Sequence, residues 1–326
     1  MDNVPVPSRT IVTVFGGAGF LGRHTVRALA RAGYRVRVAV RRPNSAYFLM
    51  PMGHVGQIQA VRCDATDAEQ VAAALAGAHA AINLAGILYP HGGHSFEGVH
   101  VEAAQTIARA AQQAGVTSLV HISSIGADPG SESHYASTKG EGERRVLETF
   151  PNATILRPSL LFGPEDRFFN KFASLARFVP ALPLIGGGIT QFQPLFVGDA
   201  ARAILACIEK PETRGKIYEL GGPTIYNFRQ LIEYILRETR RKRLLVPVPF
   251  FLASIKAFFL QLSSILGIEP LLTVDQVRLL RTDNVVHEGT PTIADLGIAP
   301  VAMEAIVPGY LWRYRPKGQY EVIAAG

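Results

Sequence analysis

The stretch VTVFGGAGFLGRHTV, residues 12–26, decides the fold. A β-branched run, TIVTVF (10–15), stops at Gly16. Gly16, Gly19 and Gly22 then lead into FLGRHTVRALARAG (20–33), where Leu21, Val26, Leu29 and Ala30 recur at helical spacing and Gly33 is the stop signal. Strand, glycine turn and helix in that order present the free N–H groups of a helix N-terminus to a phosphate. In G-x-x-G-x-x-G the first glycine allows the tight turn. The second lets backbone approach a pyrophosphate, and the third lets the helix lie close on the sheet. The expectation is a dinucleotide held at this loop; a merely structural turn is the alternative.

Beyond it, strand and helix alternate. YRVRVAVR (34–41), IQAVRCD (58–64), AAINLAG (80–86), SLVHISS (118–124) and ATILRP (153–158) read as strands. DAEQVAAALAG (67–77), a long segment from Phe96 to Gly115, and HYASTKGEGERRVLETF (134–150) read as helices. Such alternation predicts an α/β fold, a Rossmann-type doubly wound parallel sheet. After Pro158 the rhythm breaks into loop and helix rich in Gly, Pro and Phe. FVGDAARAILACIEK (196–210) reads as a strand end and a helix capped by Asp199, and the C-terminal third as mostly helical. The predicted division is a dinucleotide-binding Rossmann domain over 1–165, its sheet completed by part of 190–222. A smaller helical cap follows over 166–326, interleaved with the first.

With 326 residues, 48% of them hydrophobic, the chain can bury a sizeable core. Its two cysteines, Cys63 and Cys207, form neither a disulfide framework nor a metal motif. The N-terminal MDNVPVPSRT lacks the apolar core of a secretory signal. The net charge of +7 favours phosphate, anionic lipid or nucleic acid as partner, unless it is simply a solvated basic surface. Nucleic acid is set aside, because no recognition module is present and the aromatics are not interleaved with the basic cluster.

The end of the second strand selects the dinucleotide. An acidic residue there would bind a ribose 2′-OH. VAVRRP instead places Arg41 and Arg42, which can pair with a 2′-phosphate, and Arg23 after the third glycine could reach the same group. NADP(H) is therefore favoured over NAD(H), the alternative being that these arginines are only solvated.

Together these segments resemble the short-chain dehydrogenase/reductase superfamily in its extended or atypical branch. GGAGFLG matches its glycine loop, bringing Phe20 and Leu21 to the cofactor, and CDATD places Asp64 at the adenine. NLAG sets Leu84, Ala85 and Gly86 under the cofactor, and ISS brings Ile122 and the serines 123 and 124 to the end of the fifth strand. RPSLLFGP brings Pro158 and Leu160 to the nicotinamide end. YASTK supplies Tyr135 and Lys139 at Y-x-x-x-K spacing, one helical face. The resemblance implies Tyr135 as general acid/base and Lys139 as its tuner and ribose ligand. Ser124, with Ser123 as alternative, would bind the substrate oxygen. One position departs: where extended members read VNVxGT, this chain reads VHVEAA, with His100 in place of the asparagine. A histidine there either relays protons or packs as a hydrogen-bonded residue, and packing is favoured.

A closer resemblance runs over nearly the whole chain. PMGHVGQI, LRPSLLFGPEDRFFNKFA, QPLFVGDAARAI and LLTVDQVRLLRTDNVV resemble the NADPH-binding accessory subunits of respiratory complex I, in a bacterial form without a mitochondrial presequence. That resemblance implies a non-catalytic, NADPH-holding role near the junction of the hydrophilic and membrane arms. It also implies a peripheral place on the cytoplasmic side of the inner membrane. The alternative is a free-standing NADPH-dependent reductase or epimerase working through Ser124, Tyr135 and Lys139; a plain NADP(H)-sensing scaffold is a third reading.

RETRRKRLL (237–245) packs five basic residues into nine positions. It precedes a helix in which Phe251, Leu252, Ile255, Phe258, Phe259, Leu262, Ile265 and Leu266 share one face. Ser254, Lys256, Gln261, Ser263 and Ser264 share the other, and Leu260 breaks the pattern. The segment 237–268 suits an anionic membrane surface or a groove in a membrane-bound partner, unless the apolar face packs inside the cap. HGGH (91–94) reads as a loop near the mouth of the site, weak as a metal pair, and IGGG (185–188) as a turn. Trp312 is expected to anchor the C-terminal helix.

Overall fold

The computed structural model describes residues 9–261 and 270–318. In chain order the first elements are β1 (Ile11–Phe15), α1 (Phe20–Arg31), β2 (Arg35–Val40), β3 (Ile58–Arg62), α2 (Ala68–Leu75) and β4 (Ala80–Asn83). There follow α3 (Ala103–Gln113), β5 (Ser118–Ile122), α4 (His134–Thr149), β6 (Thr154–Pro158), β7 (Leu161–Phe162), α5 (Phe168–Phe178), β8 (Ala181–Ile185), β9 (Gln191–Phe192) and β10 (Leu195–Phe196). Then come α6 (Val197–Glu209), β11 (Ile217–Leu220), β12 (Tyr226–Asn227), α7 (Phe228–Glu238), β13 (Leu244–Val248), α8 (Phe250–Gln261), α9 (Val274–Leu279), α10 (Met303–Ile306) and α11 (Pro308–Leu311).

Two compact units emerge. The first comprises the segments up to Pro158, Gly198–Leu220 and Glu288–Ile298. Its seven-stranded sheet has the order β11-β6-β5-β4-β1-β2-β3, and every pairing is parallel. Val12 of β1 lies between Val36 of β2 and Ala80 of β4. The chain reverses its direction of winding between β1 and β4, which opens a crevice at their C-terminal ends. β4 and β5 are buried throughout because helices cover both faces of such a sheet. One core cluster is built on Phe15, Leu75, Ile107, Leu119 and Ile155. The helices start where the sequence offers caps: Asp67 accepts from Glu69 N–H and Gln70 N–H, and Ser133 accepts from Ala136 N–H.

The second unit comprises Ser159–Val197, Gly221–His287 and the chain from Ala299 onward. Phe162, Phe169, Leu182, Phe228, Leu231 and Ile235 form its main core, with β8 paired to β13.

Several expectations need correction. The helix expected from Phe96 to Gly115 begins as a wider-wound π stretch, Glu97–Glu102, before α3. Asp199 is not a cap: α6 starts at Val197, and the buried Asp199 carboxylate instead holds Arg202. The region after Pro158 contains strands as well as loop and helix, since β8 and β13 pair along Ala181–Ile185 and Leu244–Val248. Their prolines, Pro183 and Pro247, are tolerated because neither strand is interior to a sheet. Trp312 is 37% exposed, and the buried residues of that turn are Tyr310 and Leu311.

α8 is also turned outward. Ala253 and Ala257 are its buried contacts, whereas Phe251 (63%), Phe258 (59%) and Phe259 (65%) face solvent with Leu252 and Ile255. Small residues permit close approach of the helix, so the bulky side chains fall on the other side. The expected stripe residues Leu262, Ile265 and Leu266, with Ser263 and Ser264, lie outside the described residues. The basic run is divided: Arg241 donates to Tyr314 O and Arg243 to Ala176 O, leaving Arg237, Arg240 and Lys242 as its exposed members.

Candidate dinucleotide site

The glycine loop follows directly from β1. Gly16 has φ +76°, a conformation that glycine adopts without a Cβ penalty, and its carbonyl accepts the Gly19 N–H at 3.0 Å. A Cβ on Gly22 would lie 2.4 Å from Gly16 O and 2.6 Å from Gly17 C, both backbone atoms that cannot swing away. A Cβ on Gly16 would meet Leu84 C and O at 2.9 Å. Gly19, the N-cap of α1, has no side chain with which to cap it, so the helix opens with unclaimed N–H groups. These features fit a pyrophosphate, with Phe20 and Leu21 as the first residues of the helix.

The three arginines separate. Arg23 lays its guanidinium over the Phe48 ring, 5.0 Å from the centroid, with Nε 3.4 Å from Gly19 O. Arg41 and Arg42 are exposed just beyond β2. Arg41 Nη1 lies 3.3 Å from His94 Nδ1. Asp64, after β3, accepts from the N–H and hydroxyl of Thr66, and these bonds hold its carboxyl below the ordinary range; Arg41 and His94 add to the effect.

The three residues expected to transfer protons, Ser124, Tyr135 and Lys139, lie just after β5 and in the first turns of α4. Lys139 is buried, and its Nζ donates to the carbonyl of Ile122 at 3.0 Å. Burial lowers its pKa to about 8, against the opposing pull of Glu143 one turn on. Burial raises the half-buried Tyr135 above its ordinary pKa while the Ser124 hydroxyl pulls it down. The Ser123 and Ser124 hydroxyls are both buried without a hydrogen-bond partner that meets strict geometry, and of the two it is Ser124 that acts on the Tyr135 phenol. Gly86 lies over this cluster: a Cβ there would be in ordinary contact with Lys139 Nζ, at 3.5 Å. Pro158 ends β6 and accepts from Ile125 N–H. Leu160 belongs to the second unit and packs against that unit's core.

His100 has both ring nitrogens committed. The Ile87 N–H donates to Nε2 at 3.2 Å, which leaves that nitrogen bare and puts the proton on Nδ1. Nδ1 then donates to Thr138 Oγ1 at 3.0 Å, and Thr138 donates in turn to His134 O. Burial lowers the His100 pKa to about 2, with Lys139 and His121 adding to it. Its ring stacks on Phe96 and meets the Tyr135 ring edge-on, centroids 5.3 Å apart in each case. A neutral, doubly bonded imidazole is a wall of the site, with no proton to give at ordinary pH.

Sequence reasoning missed several partners. Asn83 accepts the Ala85 N–H and donates to His121 Nδ1 at 3.0 Å, leaving the His121 Nε2 proton buried without an acceptor. Burial lowers His121 to a pKa of about 3. Arg157 bridges two buried carboxylates, Glu143 at 2.6 Å and Glu219 at 3.5 Å, and so ties α4 to β6 and β11. His94 stood out in the sequence only as part of HGGH. A groove of about 450 Å³ between α5 and Pro270–Leu271 contains none of the expected site residues. When bound, a nicotinamide dinucleotide would supply a hydride donor or acceptor. The chain itself supplies the cradle, the buried cation and the phenol.

The NAD dependent epimerase/dehydratase family matches residues 12–221. NADH dehydrogenase [ubiquinone] 1 alpha subcomplex subunit 9 of Arabidopsis thaliana is 34% identical over 319 residues, 95% of this chain and 79% of that protein. The Mus musculus subunit 9 is 34% identical over 312 residues, 94% of this chain and 81% of its own length. Among solved structures, dTDP-glucose 4,6-dehydratase of Streptomyces venezuelae, with NAD bound, shares the fold at a TM-score of 0.66 and 21% identity, covering 96% of this chain and all of that one.

Proposed function

This chain belongs to the NAD dependent epimerase/dehydratase family and to the family of the complex I alpha subcomplex subunit 9 proteins, and on that premise we propose that it is an accessory subunit of respiratory complex I that holds NADPH as a structural ligand. One observation carries the reading. The epimerase match ends at residue 221, whereas the likeness to the subunit 9 proteins extends over 319 residues and so includes the second unit.

NADPH is preferred to NADH because arginine, and no carboxylate, follows β2. A ligand that binds only the native fold adds about 2.7 kcal/mol at a hundredfold excess over Kd, sufficient reason to keep a nucleotide that is never consumed. His100 supports holding over turnover, since neither of its nitrogens is available to relay a proton.

Among the described residues no helix is long and apolar enough to cross a membrane. The outward face of α8, with Arg237, Arg240, Lys242 and Lys256 exposed nearby in sequence, matches an anionic bilayer surface in both polarity and charge. The protein then sits peripherally on the membrane face bearing the hydrophilic arm, the cytoplasmic face in a bacterium, against subunits of both arms.

A second reading, a free-standing NADPH-dependent reductase or epimerase, is supported by the Ser124 hydroxyl acting on Tyr135 and by the buried Lys139 one turn along the same helix. Isolation through a tag on this chain from gently solubilised membranes separates the two. Stoichiometric complex I subunits with NADPH released on denaturation, and NADH:quinone activity retained in Tyr135→Phe, support the subunit. A monomer or homodimer exchanging its nucleotide freely overturns it and supports the enzyme.

A further inference from the structure

His94 and Arg41 are 53 residues apart in sequence and 3.3 Å apart in the fold. Arg41 follows β2, whereas His94 lies in the segment that leaves β4, and these two strands flank β1. The segment after β4 therefore passes across the C-terminal end of β1, where the glycine loop begins. Its tip is a closed hairpin: His94 N–H donates to His91 O at 2.9 Å and His91 N–H to His94 O at 3.2 Å. Gly92 and Gly93 supply the two positive φ values, +56° and +81°, that a tight two-residue turn requires. The His91 ring packs on Tyr89, with centroids 5.0 Å apart. HGGH is thus a preformed strap with a histidine aimed at the arginine beyond β2.

A guanidinium can only donate, so His94 Nδ1 accepts from Arg41 and the imidazole is neutral with its proton on Nε2. The charged groups around it are Arg41, His91 and Asp64. Partial burial, Arg41 and His91 hold its pKa below the ordinary value, while Asp64 pulls upward. A phosphate monoester dianion arriving at Arg41 changes the balance. It accepts from the guanidinium, frees Nδ1 to take one proton from solvent, and sets two cations against two negative charges.

We propose that the His91–His94 hairpin reads the 2′-phosphate of the dinucleotide, His94 gripping it together with Arg41 and taking up a proton as it does so. The inference rests on the NADPH reading above and assigns the discrimination to a residue outside the glycine loop and the second strand. Because the complex holds the extra proton, affinity for a 2′-phosphorylated ligand rises as pH falls through the interval between the free and bound pKa of His94.

The test uses the full chain freed of nucleotide, with adenosine 2′,5′-bisphosphate and adenosine 5′-monophosphate as probes. Calorimetry in buffers of different ionisation enthalpy reads the protons, and comparison with His94→Gln subtracts the titration of the phosphate itself. The wild type should prefer the bisphosphate and take up protons with it near pH 7. His94→Gln should lose about tenfold of that preference and most of the uptake, with monophosphate affinity unchanged. His94→Lys, permanently charged, should keep the preference and lose the uptake. An unchanged ratio and uptake in His94→Gln overturns this inference and leaves the NADPH reading intact. No preference for the bisphosphate in the wild type overturns both, and failure to bind either probe overturns dinucleotide holding altogether.

Discussion

The Lys139 ammonium donates to the carbonyl oxygen of Ile122 at 3.0 Å, which fastens α4 to the last residue of β5 beneath Gly86. This contact places a buried cation where the glycine loop, β4 and β5 converge. It also sets the pH behaviour of the site, because burial brings the pKa from 10.5 to about 8.

Lys139→Met removes the cation and leaves the Ile122 carbonyl without its donor. Dinucleotide affinity should fall at least tenfold, about 1.4 kcal/mol. The folded pKa lies below the unfolded one, so the stability associated with Lys139 is complete above about 10.5 and declines as pH falls toward 8. Urea midpoints from pH 8 to 10 should therefore show the wild type gaining on the variant. A constant gap would contradict the depressed pKa.

His100 and His121 are folded in neutral form, with pKa values of about 2 and about 3 against 6.5 when unfolded. The unfolded chain binds more protons below pH 6.5, so each histidine removes about 1.4 kcal/mol of stability per pH unit as pH falls from there. His100→Gln should lower the acid slope by about one proton between pH 6 and 5. Chemical denaturation at several pH values measures it, and an unchanged slope counts against a neutral His100.

Gly22→Ala places a methyl 2.4 Å from Gly16 O, with only backbone to yield. A loss of about 3 kcal/mol is expected, together with loss of nucleotide binding, since the loop itself must shift. Thermal unfolding with and without NADPH reads both effects. A stable variant that still binds would show that the loop relaxes.

Arg157→Met strands Glu143 and Glu219, both almost fully buried. Removing one member of a buried charge network costs about 3 kcal/mol or more. Replacing all three together, with Glu143→Gln and Glu219→Gln, should recover most of it, which urea denaturation of the single and triple variants would establish.

Phe251→Ser with Phe258→Ser alters side chains that are more than half exposed, so the fold should keep its midpoint within about 0.5 kcal/mol. Sedimentation with vesicles containing anionic phospholipid should lose most of its bound fraction. Equal binding by the double variant would mean that α8 does not meet lipid.

Much of the candidate site is legible in the sequence because its signals are local. β-branched runs, Gly16-x-x-Gly19-x-x-Gly22, Arg41 after β2 and Tyr135-x-x-x-Lys139 each lie within one element or one turn. Helical and strand periods place such residues on a shared face without reference to the rest of the chain. Six strands of the seven-stranded parallel sheet follow from the same periodicity; β11 is expected only as some part of 190–222.

Partner choice belongs to the tertiary structure. His100 is a wall residue because Ile87 and Thr138 close on its two nitrogens, and Thr138 comes from a helix 38 residues on. Arg41 faces His94 because β2 and β4 flank β1 in the sheet, a neighbourhood that no local spacing encodes. α8 shows the physical reason most plainly. Its periodicity defines two faces, but burial is decided by what the facing surface can accommodate, and there the small side chains of Ala253 and Ala257 go inward while the phenylalanines remain outside.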